Sequence, residues 1–527
     1  MINLIPQNAL YKPTNLKDFI SQLRRFKKSS IINSGRYLLW EYFRSADFRQ
    51  KHEKKGQIFQ AYGPRIIIIA LATANDWRNQ SLTPDDFHSF CTSYLHIPNS
   101  ISDEKFTDDE AQSIYKHLRA ATKNPDTIPI EYLDIRAIRF SCSTAFVARG
   151  MGIQHQSFNM GVEEFYRDAH ILKCLDARSD KEISAIMESK LGFTLLQVLR
   201  ACWCLYTFGM YANNNGMIVI PNCSFNADLS QKYDVDEKTC AVVASAFSYK
   251  ETELRASWLE GKVFKEHEYY QPYYPDPLFN KPIIHLDSKR PNENFLIPSP
   301  MLFIRGLRHA LFSLVVSEAK NKGKMLAAIG DCIEDHIYTA LCAIFSKEKT
   351  IRLDGAGKHA DFFIELDAIN IIIEVKTNIA GIVNKSVMKP EHIADMWNRL
   401  YYACLQCSAS IAAVPKNNKK MTIPVVIVGD HMTAEYIPFH AFAEFSKLYE
   451  SLKIGPIEYL SWNSLESSLS GTSISKFEES LLKKWSHNKP KNLEEFVSLE
   501  LDRDRPAHNY EYLNETKQEI FIKDFAN

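Results

Sequence analysis

Three consecutive isoleucines, Ile371 to Ile373, run straight into Glu374-Val-Lys376. An unbroken β-branched run of this kind marks a strand buried in the interior of a sheet, so the chain around it is expected to build an α/β layer. Side chains alternate along a strand, so Glu374 and Lys376 share one face. A carboxylate and an ammonium therefore project side by side from the end of a buried strand. A bare Glu-x-Lys carries no such meaning, because Glu53-Lys-Lys55, Glu188-Ser-Lys190, Glu260-Gly-Lys262, Glu318-Ala-Lys320 and Glu515-Thr-Lys517 lack that strand.

The surrounding elements follow from periodicity and turn residues. Helices over 301–319 and Ile329–Phe345 precede strands at Lys349–Leu353, Ala360–Glu365 and Ala368–Lys376, with Gly355 and Gly357 turning between the first two. A helix from about Pro390 to Ala412 and an apolar strand Ile423–Val428 come next. If 360–365 and 369–376 form a hairpin that turns near Leu366 to Ala368, Asp361 lies roughly opposite 373–374 and two carboxylates come close together. Like charges at that separation are unfavourable unless a cation neutralises them. Oxygen donors, with His359 the one nitrogen ligand nearby and no cysteine, favour Mg2+ or Mn2+ over zinc.

This block resembles the PD-(D/E)XK nuclease superfamily, with its restriction-endonuclease-like fold, over about residues 300–430. The Gly330-x-x-x-Glu334 helix, the Asp361 strand and the Glu374-Val-Lys376 strand occur in the family's order. The resemblance implies that Asp361 and Glu374 hold a divalent metal, that Glu334 adds a ligand directly or through water, and that Lys376 positions or activates the attacking water. It also gives Gln406, on the next helix, an accessory role, although Ala409 and Ser410 stand where a Tyr commonly follows in the branch with that Gln. Lys358 is a further accessory candidate, as a cation for the phosphate backbone. Ala360 replaces the motif's Pro, and the literal pairs Pro84-Asp85 and Pro275-Asp276 open a helix and lie in proline-rich chain, respectively. The implied activity is metal-dependent endonucleolytic hydrolysis of nucleic acid, with DNA favoured, in a setting such as prokaryotic restriction or antiphage defence. The competing expectation is a silent or partner-activated binding protein that keeps the nuclease fold.

Charge narrows this picture. The 63 basic and 63 acidic side chains cancel, so any polyanion site must be a local patch. Residues 320–420 are mildly basic, and Lys385, Lys389, Arg399, Lys416, Lys419 and Lys420 are candidates for phosphate contacts. Arg24, Arg25, Lys27 and Lys28, and Lys51, Lys54 and Lys55, form further clusters, for which solvated helix faces are the simpler explanation. Tyr269, Tyr270, Tyr273 and Tyr274 could stack on bases, though such residues more often clamp a linker.

The 11 cysteines lie mostly in apolar runs and suggest reduced thiols of a cytoplasmic protein. Cys404-x-x-Cys407 lacks a second metal-binding pair. No secretory signal is visible at the start. Leu191 to Ala212 imitates a membrane span but carries Gln197 and Arg200, which favours a buried core helix and no membrane partner. The expected organisation is an α/β nuclease domain over 301–470, with a mixed central sheet flanked by helices, behind a mainly α-helical recognition or regulatory domain over 1–261. A Pro/Tyr-rich junction over 262–300 joins them, and 471–527 form a polar helix or tail. A homo-oligomer or a partner subunit is left open.

Overall fold

A computed structural model describes residues 13, 15–102, 108–121, 135, 163–211, 213–220, 231–259, 276–286, 293–353, 359–376, 390–414, 420–428, 450–452, 457–462, 474–486 and 513–520. The chain groups into two compact units. The first comprises 1–103, 153–329 and 513–527, and the second 104–152 and 330–512. The division therefore differs from boundaries at 261, 300 and 470. It falls at 329/330, inside a helix, and each unit gathers segments distant in sequence.

In the first unit, α1 (Leu16–Leu23) is capped by Asn15, whose side chain accepts the Asp18 amide at 2.9 Å; Thr14, the expected start, lies outside the described residues. Helices α2 (Lys28–Arg44), α3 (Glu53–Thr73) and α4 (Pro84–Ser102) pack around Ile66 to Ile69, all fully buried. The expected cap of α4 is present: Thr83 accepts the Asp86 amide at 3.2 Å while the Asp86 carboxylate accepts the Thr83 amide at 3.1 Å. Helices α5 (Glu163–Arg178) and α6 (Leu195–Met210) follow. The two polar residues of the span-like stretch have local work, since Gln197 completes a capping box with Thr194 and Arg200 donates to the Glu519 carbonyl at 2.8 and 3.0 Å. Among the described residues one helix, α7 (Pro300–Glu318), is long and apolar enough to cross a membrane, and it is mostly buried within the protein.

The first unit is not helical throughout. Strands β1 (Met217–Ile220), β2 (Ser248–Lys250), β3 (Ile283–Leu286) and β4 (Glu293–Leu296) form a sheet ordered β1-β4-β3-β2, with the β2–β3 pair parallel and the others antiparallel. Half of this sheet comes from the segment expected to be a junction. Pro282 precedes β3 and Pro298 follows β4, so neither strand needs a ladder hydrogen bond from a proline. Just upstream, Arg65 of α3 and Asp276 form a buried ion pair at 3.0 Å, and Arg65 also donates to the Tyr94 hydroxyl at 3.3 Å. Tyr269, Tyr270, Tyr273 and Tyr274 lie outside the described residues.

A second buried charge cluster joins α5 to α7. Glu164 lies 3.8 Å from Arg167, and Asp168 lies 3.6 Å from Arg308. Burial pushes the Glu164 carboxyl up to about 7 against the opposing pull of Arg167 and Arg305. Below the ordinary glutamate range both folded and unfolded chains are protonated there. As pH rises from about 4.5 to about 7 only the unfolded chain ionises, so stability is lost across that window. Glu164→Gln is expected to leave the melting temperature unchanged at pH 4 and to raise it at pH 8, by up to about 3 kcal/mol of stability; thermal melts at the two pH values check this.

The second unit is built on a mixed sheet ordered β5-β6-β7-β8-β9: β5 (Thr350–Arg352), β6 (Phe362–Glu365), β7 (Ile369–Lys376), β8 (Met421–Val428) and β9 (Glu458–Ser461). The first three are antiparallel and the last three parallel. Helix α8 (Lys322–Phe345) enters the unit before β5, and α9 (Pro390–Ala413) packs on β7 and makes the crossover to β8 that a parallel pair requires. Residues Ile369 to Glu374 are buried in succession, as the isoleucine run demands. Pro424 is accommodated within β8 because β9 pairs only from Val425 onward. Helix α10 (Ile474–Ser486) supplies Glu478, whose carboxylate accepts the Ala368 and Ile369 amides at 2.6 and 3.0 Å and fixes the β6–β7 turn. Helix Asp108–Ala121, from the first half of the sequence, packs against α9. Among the described residues the protein thus combines a majority of helix with two small mixed sheets, one in each unit.

Candidate active site

The site begins with the β6–β7 hairpin. Phe362 pairs with Ile373 and Ile364 with Ile371. At the end of this ladder Asp361 engages β7 twice: its amide donates to the Ile373 carbonyl at 3.0 Å and its carboxylate accepts the Val375 amide at 2.7 Å. Asp361 is thereby held against 373–375, where the hairpin reading of the sequence placed it. Leu353, just after β5, donates to the Asp361 carbonyl at 2.9 Å.

Glu374 and Lys376 follow on β7. Glu374 is only 1% exposed; its Oε1 accepts a hydrogen bond from Lys376 Nζ, while Oε2 is buried with no hydrogen-bond partner among the described residues. Lys376 also donates to Gln406 Oε1 at 2.8 Å and lies 5.3 Å from the centre of the Tyr402 ring. Gln406 in turn donates to the His359 carbonyl at 3.2 Å, and Ser410, one turn later on α9, accepts the Ala360 amide at 2.8 Å. Helix α9 therefore positions both the lysine and the start of the Asp361 strand.

Glu334 approaches from α8 and is held differently. Arg352 of β5 lies 3.4 Å from Glu334 and 2.5 Å from Asp335, with its guanidinium over the rings of Tyr338 and Phe362 at 5.1 and 5.8 Å. The carboxylates feel one another. Burial pushes the Glu374 carboxyl up to about 8 against the pull of Lys376, and the charge of Asp361 adds to the rise. Burial and Asp361 likewise raise Glu334, against Arg352, and burial raises Asp361 itself, against the Val375 amide and Lys376. A desolvated carboxylate cluster of this kind favours either protonation or an added cation.

A hard divalent cation fits the donors. They are carboxylate oxygens, one of them buried without a hydrogen-bond partner among the described residues, and Mg2+ typically takes one or two protein carboxylates and fills the remaining positions with water and phosphate oxygens. The set is not closed around a point: among the described residues no group of three His, Cys, Asp or Glu side chains is arranged to hold a metal. Arg352 engages Glu334 and Asp335 instead, and Lys376 engages Glu374. Cys404 and Cys407 are buried in α9 as packed side chains.

The structure thus brings Asp361, Glu374, Lys376 and Gln406 together and sets Glu334 beside them under Arg352. Lys358 lies outside the described residues, as do Lys385, Lys389, Lys416 and Lys419. Arg399 pairs with Asp395 at 3.2 Å on its own helix, and Lys420 pairs with Glu365 at 2.8 Å beside the hairpin turn, so both have structural partners. Arg352, Tyr402 and Ser410 were not anticipated. Arg352 had one readable signal, as a cation on the strand that precedes the Asp361 strand; Tyr402 stands one helical turn before Gln406, whereas the resemblance implies an aromatic after it. Compared with protein-family models, curated proteins and solved structures, the chain matches none of them.

Proposed function

We propose that the second unit is a metal-dependent phosphodiesterase acting on nucleic acid, a nuclease whose site is Asp361, Glu374 and Lys376 with Glu334 and Gln406 in support. The observation that carries this reading is the buried Glu374, with one oxygen held by Lys376 and the other without a hydrogen-bond partner among the described residues, beside Asp361 at the end of a central strand. A buried carboxylate left in that state is costly unless it has work to do.

Hydrolysis of a phosphodiester needs an attacking water, relief of the charge that develops on the phosphoryl oxygens, and exclusion of competing geometry. A bound divalent cation supplies charge relief and acidified water. Asp361 and Glu374 are the residues that would hold it, with Glu334, beside Arg352, as the third carboxylate at hand. Lys376 provides a directed N–H donor for the attacking water or the phosphoryl oxygen. Its direction is set by Glu374 on one side and Gln406 on the other. Gln406 acts through Lys376 and is a positioning residue. DNA is the first substrate to test, and restriction or antiphage defence is the setting proposed for the activity.

Purified protein incubated with plasmid, linear and single-stranded DNA, and with RNA, in Mg2+, Mn2+ or EDTA, tests the reading. Lys376→Ala is expected to slow metal-dependent cleavage by about 10²–10³-fold, the size of effect seen when one preorganised donor is removed. Undiminished cleavage by that variant would remove Lys376 from the site.

A further inference from the structure

We infer that the first unit carries a contact surface for single-stranded nucleic acid, formed by the turn after α3 and the junction between α1 and α2. Trp77, on the turn between α3 and α4, is 91% exposed, the extreme among the exposed large hydrophobic residues described. An indole held in water is unusual for a residue whose apolar area drives burial. The turn that carries it is pinned: the Lys28 amide donates to the Asn75 carbonyl at 3.1 Å, the Lys27 amide to the Gln80 carbonyl at 2.8 Å, and the Trp77 amide to Asn75 Oδ1 at 3.3 Å. Phe26, within the α1–α2 junction, anchors that junction through an edge contact with Phe90 at 5.5 Å. Trp77 thus sits on a fixed platform.

The same platform presents cations. Arg24 and Arg25 are exposed at the junction and Arg78 is exposed on the turn, and none of the three forms an ion pair among the described residues. Of the carboxylates on or against these segments, Asp76 accepts the Ser29 amide at 2.8 Å, and Glu251 pairs with Lys28 at 2.5 Å. A protein with no net charge therefore carries three exposed arginines, with no ion pair among the described residues, on the two hydrogen-bonded segments that also carry Trp77. Planar, bidentate donors match phosphate oxygens, and an exposed indole stacks on an unpaired base of any identity. A bilayer surface would call for more apolar area than one side chain.

The choice of nucleic acid over another polyanion rests on the nuclease reading, so the test separates the two. Full-length protein in EDTA is titrated against fluorescein-labelled oligothymidylate and an RNA of equal length, with anisotropy read at several salt concentrations. Trp77→Ala is expected to weaken binding by about tenfold. The Arg24→Ala/Arg25→Ala/Arg78→Ala protein is expected to show a log affinity against log salt slope shallower by about 2, as three lost phosphate contacts on a single strand require. Unchanged affinity in both variants, or no binding by the parent protein, overturns the surface. Parent protein that instead sediments with phosphatidylserine vesicles, and loses this with Trp77→Ala, also overturns it in favour of a membrane contact. Binding in EDTA that depends on Trp77, from a protein that cleaves nothing with metal, leaves this surface standing and removes the nuclease reading. Cleavage with Trp77-independent binding does the reverse.

Discussion

Glu374→Gln protein is expected to cleave nucleic acid about 10³-fold more slowly than the parent while remaining folded. Glutamine has the shape of the protonated acid, the form that burial favours at this position, so the substitution keeps packing and removes the ability to become a negative charge when a cation binds. That charge is what a divalent cation needs, because neutral amide oxygen is a poorer donor than carboxylate to a hard ion. The same variant separates loss of metal from loss of fold. Added Mg2+ should raise the melting temperature of the parent through selective binding to the folded state, by about 2.7 kcal/mol at a hundred times the dissociation constant, and should leave Glu374→Gln unmoved. Equal Mg2+-induced shifts in the two proteins would take Glu374 out of the metal site.

Asp276→Ala is expected to destabilise the first unit by about 3–5 kcal/mol, the cost of stranding a buried guanidinium. Arg65 is 2% exposed and Asp276 5%. Burial pushes the Asp276 carboxyl up despite the Arg65 charge beside it, while Asp276 and Tyr94 raise the Arg65 guanidinium in spite of its own burial, so each buried charge depends on the other. Removing one partner exposes that cost in full, whereas removing both together relieves it. Urea unfolding should therefore show Arg65→Met/Asp276→Leu to be far closer to the parent than Asp276→Ala. A double variant as unstable as the single one would show that the pair's geometry, not its charge balance, holds Asp276 in place.

The strand that carries the site was legible because its signal is local and redundant. Three isoleucines fix β7 as interior, the period of two puts Glu374 and Lys376 on one face, and the short turn forces Asp361 back against residues 373–375. Gln406 was legible only through resemblance; nothing in its helix distinguishes it, yet it touches Lys376. What the sequence hid was non-local. Asp108–Ala121 packs on α9 across almost three hundred residues, a pairing no window reveals. The proline-rich segment hid two strands because each is four residues long and its prolines fall outside the ladder. Asp276 looked like a stray Pro-Asp pair because its partner, Arg65, lies 211 residues earlier in a run that otherwise spells a buried helix. Arg352 was passed over for a related reason, since the value of a cation at a strand end appears only when the carboxylates it engages are known.

The charge balance takes its place in the same account. With no broad positive field to draw in a polyanion, the proposed engagement falls to local features: a carboxylate cluster that a metal would complete, and the arginines on the segments that carry Trp77. Both predict binding that is steeply dependent on a few side chains.

The central claim is that Asp361, Glu374 and Lys376 form a metal-dependent phosphodiesterase site. Single-turnover cleavage of an end-labelled nucleic acid, with enzyme in excess and Mg2+ titrated from zero, measures it most directly when parent and Asp361→Asn proteins are run side by side. The account predicts a rate that saturates with Mg2+, vanishes in EDTA and falls by at least about 10²-fold in Asp361→Asn. A rate that persists in EDTA, or one that is the same in both proteins, would contradict it.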